Sequence, residues 1–190
     1  MTKVKLVFAV GGNDIDQFVE FAFGNKGKLP WGHIPEDLKF FQKITKNDVL
    51  IMGSKTFMSL PKKLSGRVHV VLSSRGERIV TESGERPDII IGRNSISNTV
   101  DYVRGLYPEH DISIIGGKQI LLDAIENKVA DEIYMNIIYP TVKNFETDVS
   151  FTATQLGFHN KGYELNEETE LETIQRDGIG YILSETWIKE

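Results

Sequence analysis

An acidic residue lies on the apolar face of a predicted helix in the stretch GKLPWGHIPEDLKFF. Pro35 suits the first position of that helix, because its missing N–H would have no partner there. Three large apolar residues follow Asp37 at intervals of three, four and seven residues, which is the spacing of one helix face: Phe40, Phe41 and Ile44. Asp37 is therefore either a first-turn acid that interacts favourably with the helix dipole, or a carboxylate in an apolar cleft.

The second interpretation of Asp37 predicts a functional group. Burial in an apolar cleft would raise the pKa of its carboxyl group above the ordinary value of about 3.9. Such a group can bind a protonated heterocycle or help to deliver a proton. The residues of this helix alone leave both interpretations open.

Two junctions of strand, glycine and helix could hold the phosphates of a dinucleotide. In VLIMGSKTF an apolar strand ends at Gly53, and a helix then begins with Ser54, Lys55 and Thr56. Glycine lets a ligand approach the backbone closely, and a helix N-terminus offers free N–H groups and the positive end of the dipole.

The second junction is ISIIGGKQILL, in which the strand ends at Ile115 and is followed by the Gly116-Gly117 pair. We expect a helix from about Lys118, which continues through Gln119. In a parallel sheet two such junctions would lie at the same edge and could bind the two ends of one dinucleotide.

A third segment, HVVLSSR, ends a strand with hydroxyl groups and a guanidinium that would suit an additional phosphate, such as the 2′-phosphate of NADP. Its residues are Leu72, Ser73, Ser74 and Arg75. Taken singly, each of these segments is more typical of an ordinary turn or solvated loop than of a ligand site, and neither glycine junction matches G-x-G-x-x-G or a Walker loop. The Gly11-Gly12 pair is followed by Asn13-Asp14, a loop composition, and is a weaker candidate.

The elements that must position these residues are predicted from apolar periodicity. Eight β-rich runs recur, several of them continuous runs of Val, Ile and Leu: KVKLVFAV, DVLIMG, RVHVVLSS, DIII, DISIIG, EIYMNIIY, ELETIQ and YILSETWI. Helical patterns separate several of them: PEDLKFFQKI, SISNTVDYVRGLY and KQILLDAIENK. This alternation predicts an α/β fold with a mostly parallel, eight-stranded central sheet and helices on both faces. A turn at Asp177-Gly178 predicts a C-terminal antiparallel hairpin, and residues 1–190 are expected to form a single domain.

Composition restricts the class of function. The 190 residues are 40% hydrophobic and 26% charged, and the net charge of -5 argues against broad binding to nucleic acid or anionic membranes. The chain has no Cys, and its four His residues are scattered, so no metal site is predicted. No apolar run has the length of a membrane span, and the N-terminus lacks the features of a signal peptide. A cytoplasmic protein is therefore expected, with its oligomeric state left open.

Taken together and in this order, the motifs resemble those of dihydrofolate reductase. The resemblance rests on LPWG at 29–32, Pro35 with Asp37 and Leu38, IMGSKTF at 51–57, SLP and LSGR within 59–67, VVLSSR, and the IGG at 115–117. It extends over most of the chain, and the combination of LPWxxxxDLxxF with IMGxxTFxSL is highly specific. The long, Cys-free chain, with its insertion DIDQFVEFAFGNKG, looks most like phage-encoded members of the family.

The resemblance implies reduction of dihydrofolate to tetrahydrofolate with NADPH. By motif position, Asp37 looks like the acid of the pteridine pocket, which would bind the pterin and favour protonation at N5. Leu29, Pro30 and Trp31 look like a mobile loop that closes over the nicotinamide. The folate pocket would contain Leu38, Phe41, Leu60, Leu64 and Asn136, and Arg67 would bind the α-carboxylate of the glutamate tail.

The resemblance also implies a set of cofactor contacts. The first junction would hold phosphates, and the serines and arginine after the third strand would lie near the 2′-phosphate. The second junction would support the nicotinamide ribose and the pyrophosphate. The residues implied are Gly53, Ser54, Lys55, Thr56, Leu72, Ser73, Ser74, Arg75, Ile115, Gly116, Gly117, Lys118 and Gln119.

Several positions depart from the family pattern. His33 is an extra residue before Pro35, and Ser54 stands where many relatives carry Arg. Leu121 replaces a common Tyr, and Asn136 replaces a Thr often paired with the acid, although an amide can still donate a hydrogen bond. The insertion DIDQFVEFAFGNKG, residues 14–27, is expected to form an extra helix.

Two other functions fit the fold. A flavin-pathway reductase acting on a ribosylamino-pyrimidine with NADPH would share the cofactor half, but the LPWG, Asp37 and Arg67 set argues against it. A binding or structural protein could also keep the fold, although a scaffold gains nothing from a buried acid.

Overall fold

The computed structural model describes residues 2–13, 20–74, 78–92, 94–141, 143–176 and 178–190, without the side chains of 169–176. The chain divides into two compact units. The first unit contains Thr45–Asp131 and the chain up to Leu6, and the second contains Val7–Ile44 and Glu132–Glu190. The single-domain organisation stays a prediction.

The secondary-structure elements are numbered along the chain. The strands are β1 (Val4–Asn13), β2 (Glu20–Gly24), β3 (Val49–Gly53), β4 (Val68–Leu72), β5 (Ile89–Ile91), β6 (Ile112–Gly116), β7 (Glu132–Pro140), β8 (Val149–Thr152), β9 (Tyr163–Arg176) and β10 (Ile179–Lys189). The helices are α1 (Pro35–Ile44), α2 (Ser54–Met58), α3 (Ile96–Leu106) and α4 (Lys118–Glu126), and a 3₁₀ turn spans Phe158–Lys161.

The first unit contains a parallel sheet with strand order β5-β4-β3-β6-β1, to which β1 contributes Val4–Leu6. Its central strands are continuous apolar runs because side chains on both faces are buried. One core cluster on this sheet consists of Leu50, Met52, Phe57, Val71 and Ile79. Since β3 and β6 are parallel neighbours, the glycine junctions that follow them lie at the same sheet edge.

In the second unit the strand order is β1-β7-β10-β9, and β10 is antiparallel to both β7 and β9. All eight runs predicted as strands form strands, and the C-terminal antiparallel hairpin is confirmed. Asp177 lies outside the described residues, and the adjacent Gly178 has the positive φ of 79° that such a turn favours.

The extra helix expected within residues 14–27 is wrong for Glu20–Gly24, which forms strand β2 and pairs with β1 and β8. Residues 14–19 lie outside the described residues. Packing against β8 stabilises this strand: Ala22 is buried, and the ring centroids of Phe23 and Phe151 lie 4.9 Å apart in an edge-on contact. β2 and β8 were both missed by the sequence analysis, since each is short.

Strand β1 continues through the Gly11-Gly12 pair and includes Asn13, which the sequence analysis interprets as part of a loop. A Cβ added at Gly11 would lie 2.4 Å from the ring of Phe145, and one at Gly12 would lie 2.6 Å from the ring of Tyr139. Aromatic rings therefore occupy the space that side chains at these positions would need.

Candidate active site

Asp37 is the single buried residue of helix α1, with 7% of its surface exposed. Its carboxylate oxygen Oδ1 accepts a hydrogen bond of 2.8 Å from Nδ2 of Asn136 on β7, which is 2% exposed. Burial raises the pKa of Asp37 above its ordinary value of 3.8, while the hydrogen bond from Asn136 opposes the rise. The interpretation of Asp37 as a carboxylate in a desolvated place is thus favoured over that of a solvated first-turn acid.

The apolar residues that share the face of Asp37 are only partly buried. Phe40, Phe41 and Ile44 are each intermediate in exposure, and the ring centroid of Phe40 lies 6.5 Å from that of Tyr134. Leu38 is likewise intermediate. A helix whose acid is buried while its large apolar side chains stay half-exposed is typical of a ligand pocket wall.

Trp31 is anchored in the core of the second unit. It is 8% exposed and packs in a cluster with Ile34, Ile138, Ile179 and Ile182. Its ring meets that of Phe145 edge-on at 6.0 Å. Leu29, by contrast, is 45% exposed, and the main-chain N–H of Gly32 donates to its carbonyl oxygen at 3.1 Å. Closure of this loop over a ligand stays a prediction, and Leu29 rather than Trp31 is the exposed member.

The buried polar atoms of the second unit include a donor and an acceptor that have no hydrogen-bond partner among the described residues. They are Nε1 of Trp31, a donor, and Oδ1 of Asn136, an acceptor. Buried polar atoms are paired in nearly all native structures, so an unpaired donor and an unpaired acceptor point to a polar ligand or water.

In the first unit the two predicted glycine junctions lie side by side. A Cβ added at Gly53 would be 3.6 Å from the main-chain nitrogen of Gly117, and one added at Gly117 would be 3.5 Å from Oγ1 of Thr56. Gly117 is the N-cap of α4 and provides no side-chain cap, so the first N–H groups of that helix are left to other acceptors. Lys55 is exposed, whereas Ser54 and Thr56 are half-buried.

A cavity of about 310 Å³ lies beside these junctions. Four of its lining residues were predicted as cofactor contacts: Leu72, Ser73, Ser74 and Gln119. Sequence reasoning missed the other five, which are Gly92, Asn94, Ile96, Ile120 and Asp123. They come from the segment after β5 and from helices α3 and α4, where Ile96 is buried, Ile120 is half-buried and Asp123 is exposed. The apolar pattern of those helices pointed only to Ile96 and Ile120. Arg75 lies outside the described residues.

The remaining predicted cofactor residues belong to the second junction. Gly116 is buried with φ of 139°, Ile115 packs against the core cluster of the first unit, and Lys118 begins α4. The structure therefore brings the described members of the predicted cofactor set to one edge of the first unit's sheet.

The first unit also carries three residues predicted on the substrate side. Leu60 and Leu64 are half-buried against its core cluster. Nε of Arg67 donates to the carbonyl oxygen and to Oγ1 of Thr45 at 3.0 and 3.1 Å, and its Nη1 donates to the carbonyl oxygen of Ser65 at 2.9 Å. Burial lowers the pKa of the Arg67 guanidinium below its usual range, and the Asp48 carboxylate opposes this shift. The guanidinium is thus held in one orientation by main-chain acceptors.

Across the described residues, no cluster of His, Asp or Glu has the geometry of a metal site. Nor does any helix in the described part of the chain have the length and apolar character needed to cross a bilayer.

The comparisons with known proteins all point to the same family. The sequence model of the dihydrofolate reductase family matches residues 5–184. The chain is 38% identical to dihydrofolate reductase type A10 of Escherichia coli over 147 residues, which is 77% of this chain and 71% of that protein. It is 31% identical to the dihydrofolate reductase of Bacillus subtilis over 148 residues, covering 78% and 74% of the two chains.

A solved structure shares the fold. The dihydrofolate reductase of Enterococcus faecalis, complexed with NADP(H) and RAB-propyl, matches with a TM-score of 0.69 and 20% identity. The match covers 99% of this chain and 96% of that one. At this identity the likeness establishes an α/β fold with a mostly parallel central sheet and a C-terminal antiparallel hairpin.

Proposed function

The chain belongs to the dihydrofolate reductase family, and we propose that it reduces 7,8-dihydrofolate to 5,6,7,8-tetrahydrofolate with NADPH. Such an enzyme serves one-carbon metabolism and nucleotide synthesis, and we place it in the cytoplasm. The observation that carries the proposal is the buried pair of Asp37 and Asn136, with a hydrogen bond of 2.8 Å between them. A scaffold would be destabilised by a desolvated carboxyl group and would gain nothing from it.

Asp37 would bind the pterin and favour its protonation. Its second carboxylate oxygen can accept hydrogen bonds from the amino group and ring N–H of the pterin, and its negative charge stabilises a proton at N5. The burial that raises the pKa of Asp37 also strengthens this interaction, because little solvent screens it. Asn136 holds the carboxylate in place, and the indole N–H of Trp31 is a buried donor for a polar group or a water.

The residues of the first unit fit NADPH. Gly53 and Gly117 lie close together at the starts of α2 and α4, neither of which has a side-chain cap, and the adjoining cavity is lined by residues that include Ser73 and Ser74. When bound, NADPH supplies the hydride that is added to the pterin carbon next to N5. The junction residues Ser54 and Thr56 would hold the phosphates, and Arg75 would lie near the 2′-phosphate.

The substrate's glutamate tail would be bound by Arg67. Its guanidinium is oriented by Thr45 and Ser65, and a planar fork of donors suits a carboxylate. Leu38 and Phe41 would contact the pterin side of the folate, and Leu60 and Leu64 its apolar middle. Closure by the loop containing Leu29 would exclude water during the reaction.

An assay of the purified protein tests this function directly. NADPH and dihydrofolate are mixed with the protein, and the loss of reduced-nicotinamide absorbance is followed against a control without folate. Rapid loss that depends on dihydrofolate is the expected result. If NADPH bound, as seen by fluorescence, but was not consumed with dihydrofolate, the cofactor assignment would stand and the substrate assignment would be wrong.

A further inference from the structure

A histidine that the proposed chemistry does not use is fully buried in the first unit. His69 lies on β4 with 0% exposure, and its ring meets that of Phe57 edge-on at 5.8 Å. Its Nε2 accepts a hydrogen bond of 3.1 Å from the main-chain N–H of Leu64. A core position on a strand favours an apolar residue. A buried imidazole is costly there unless it makes hydrogen bonds that the fold or the function needs.

The hydrogen bond fixes the protonation state of His69. Because the N–H of Leu64 is a donor, Nε2 must carry a lone pair, and the neutral ring then carries its proton on Nδ1. Nδ1 lies 3.5 Å from Oδ2 of Asp88, which is too long for a good hydrogen bond, and it has no hydrogen-bond partner among the described residues. The same oxygen accepts the main-chain N–H of His69 at 2.7 Å, and Oδ1 of Asp88 pairs with Nζ of Lys63 at 2.5 Å.

The segment that His69 contacts carries the substrate-side residues. Between α2 and β4, two consecutive main-chain N–H groups donate to side chains: that of Lys63 donates to Oε2 of Glu85 at 2.8 Å, and that of Leu64 donates to Nε2 of His69. Leu64 in turn packs against the core cluster of the first unit. The main-chain position of Leu64 thus depends on an imidazole acceptor.

We propose that His69 is a positioning residue for folate: its neutral imidazole holds the Lys63–Leu64 main chain, and thereby Leu64 and the adjoining Arg67, in the arrangement that binds substrate. This inference rests on the proposed function, because it assigns the segment to folate. It concerns the substrate and leaves the glycine junctions that would hold NADPH unaffected.

Protonation of His69 would place an N–H opposite the N–H of Leu64 and break the hydrogen bond. The groups that face the ring act in both directions: Asp88 favours the charged form, whereas Lys63 and Arg67 disfavour it. Burial is the largest influence and lowers the pKa of His69 from 6.5. Affinity for dihydrofolate should therefore be retained at neutral pH and fall as the pH drops below 6.5 towards that lower pKa.

Two amide variants separate this role from simple packing. The side-chain amide of His69→Gln extends to the position of Nε2 and can accept from Leu64, but it does not titrate. The shorter amide of His69→Asn reaches only the position of Nδ1 and leaves Leu64 without its acceptor. Both variants remove the imidazole and place a neutral amide of similar polarity in the same core site.

The measurement is KM for dihydrofolate and for NADPH, with kcat, at a series of pH values. We expect His69→Gln to stay within about twofold of wild type at neutral pH and to lose the acid-side rise in KM for dihydrofolate. We expect His69→Asn to raise KM for dihydrofolate about tenfold, as for one lost buried hydrogen bond, with KM for NADPH unchanged. Equal behaviour of the two variants, or equal changes for both ligands, would overturn the proposal.

A second measurement does not depend on turnover. In wild type, the amide proton resonance of Leu64 should titrate together with the ring protons of His69, and in His69→Gln it should be independent of pH over the same range. If the Leu64 amide resonance did not change while His69 titrated, the inference would be contradicted even if neither variant folded. Failure of wild type to reduce dihydrofolate would instead count against the proposed function, since the Leu64 titration would still report on the contact.

Discussion

At the residue scale, Asp37 combines two properties that oppose each other. Its burial raises the free energy of the carboxylate form, and the structure compensates with one hydrogen bond, from Asn136. A desolvated carboxylate with a single hydrogen bond can stabilise a positive charge on a bound ligand, but its own burial costs the protein stability. Function and stability therefore make opposite demands on this side chain.

The variant Asp37→Asn tests whether the charge of Asp37 is needed for turnover. The amide has the same shape but carries no charge, so it cannot favour a protonated pterin. We expect kcat/KM for dihydrofolate at neutral pH to fall about 100-fold or more, with affinity for NADPH unchanged. The control is Asp101→Asn, the same change on the exposed side of α3, which should leave the rate at the wild-type value. A wild-type rate in Asp37→Asn across pH would refute the proposed role.

The same variant tests the effect of that charge on the free energy of unfolding. For an acid whose folded pKa is raised, stability is gained as the pH falls through that pKa, so at neutral pH the ionised group destabilises the fold. Asp37→Asn removes the charge and should raise the free energy of unfolding at neutral pH by about 1 kcal/mol. Urea denaturation measures this. A loss of stability would mean that the carboxylate is better compensated than the structure indicates.

Asn136 should tune the titration of Asp37. Its hydrogen bond lowers the pKa of the acid, so Asn136→Ala should let that pKa rise further. The acid-side inflection of kcat/KM should then move to higher pH, whereas Asn136→Thr, which keeps a donor, should move it less. The measurement is the pH dependence of kcat/KM. Identical profiles for wild type, Asn136→Ala and Asn136→Thr would show that Asn136 does not influence the pKa of the titrating group.

Arg67 should act on substrate affinity alone. Arg67→Leu removes the guanidinium and should raise KM for dihydrofolate about 30-fold, the effect of a charge-assisted hydrogen bond, with little change in KM for NADPH. Arg67→Lys keeps the charge without the planar fork and should recover only part of the loss. An equal rise in KM for dihydrofolate and for NADPH would contradict the assignment of Arg67 to the glutamate tail.

At the element scale, the parallel pairing of β3 with β6 decides where the two glycine junctions lie. Each junction alone is an ordinary turn between a strand and a helix. Side by side, with Gly53 close to the main chain of Gly117, they bring two helix starts without side-chain caps to one edge of the sheet. The short α2 and the longer α4 both begin at this edge.

The variant Gly53→Ala tests that edge. Its new methyl would lie 3.4 Å from Cδ1 of Ile120 and 3.6 Å from the nitrogen of Gly117, which is ordinary van der Waals contact, so the fold should persist. The methyl occupies space next to the cavity, and we expect KM for NADPH to rise about tenfold with a smaller change for dihydrofolate.

A matched control exists in α3. Gly105→Ala makes the same change at a helical position with nothing within 4 Å, and it should stabilise the protein by about 0.5–1 kcal/mol without kinetic effect. If Gly53→Ala behaved like this control, the cofactor would not approach the first junction.

At the scale of the whole molecule, several shifted groups set the response of stability to acid. Burial would raise the pKa of Asp88 and of Asp111, but their hydrogen bonds and ion pairs with lysines and main-chain N–H groups leave both below 3.8. Burial lowers the pKa of His69 from 6.5. Each of these groups binds protons more readily in the unfolded chain, so each removes stability as the pH falls through its range.

We therefore expect a two-part loss of stability in acid. The free energy of unfolding should decline as the pH drops below 6.5, because of His69, and decline again below 3.8, because of Asp88 and Asp111. Asp37 and Glu185, whose burial raises their pKa values, should offset part of the loss. Urea titrations at several pH values measure the profile, and His69→Gln should flatten its upper part. A flat wild-type profile from pH 7 to 5 would contradict the contribution of His69.

The sequence by itself determined eight of the described strands, the four α-helices and the position of the acid. Continuous runs of Val, Ile and Leu and the spacing of apolar residues in α1, α3 and α4 are local patterns, and burial enforces them wherever the chain folds. β2 and β8 escaped prediction because short strands carry little periodicity, and their pairing partners are distant in the chain.

Only the tertiary structure decided which side chains meet. Asn136 is 99 residues from Asp37 in the sequence, and the hydrogen bond between them exists because α1 packs beside β7. His69 reaches Leu64 because the chain turns back between them, and the cavity takes residues from three separate segments. Local propensity fixes the elements, but strand pairing and packing bring remote polar groups within hydrogen-bond distance, so the site's chemistry depends on the folded chain.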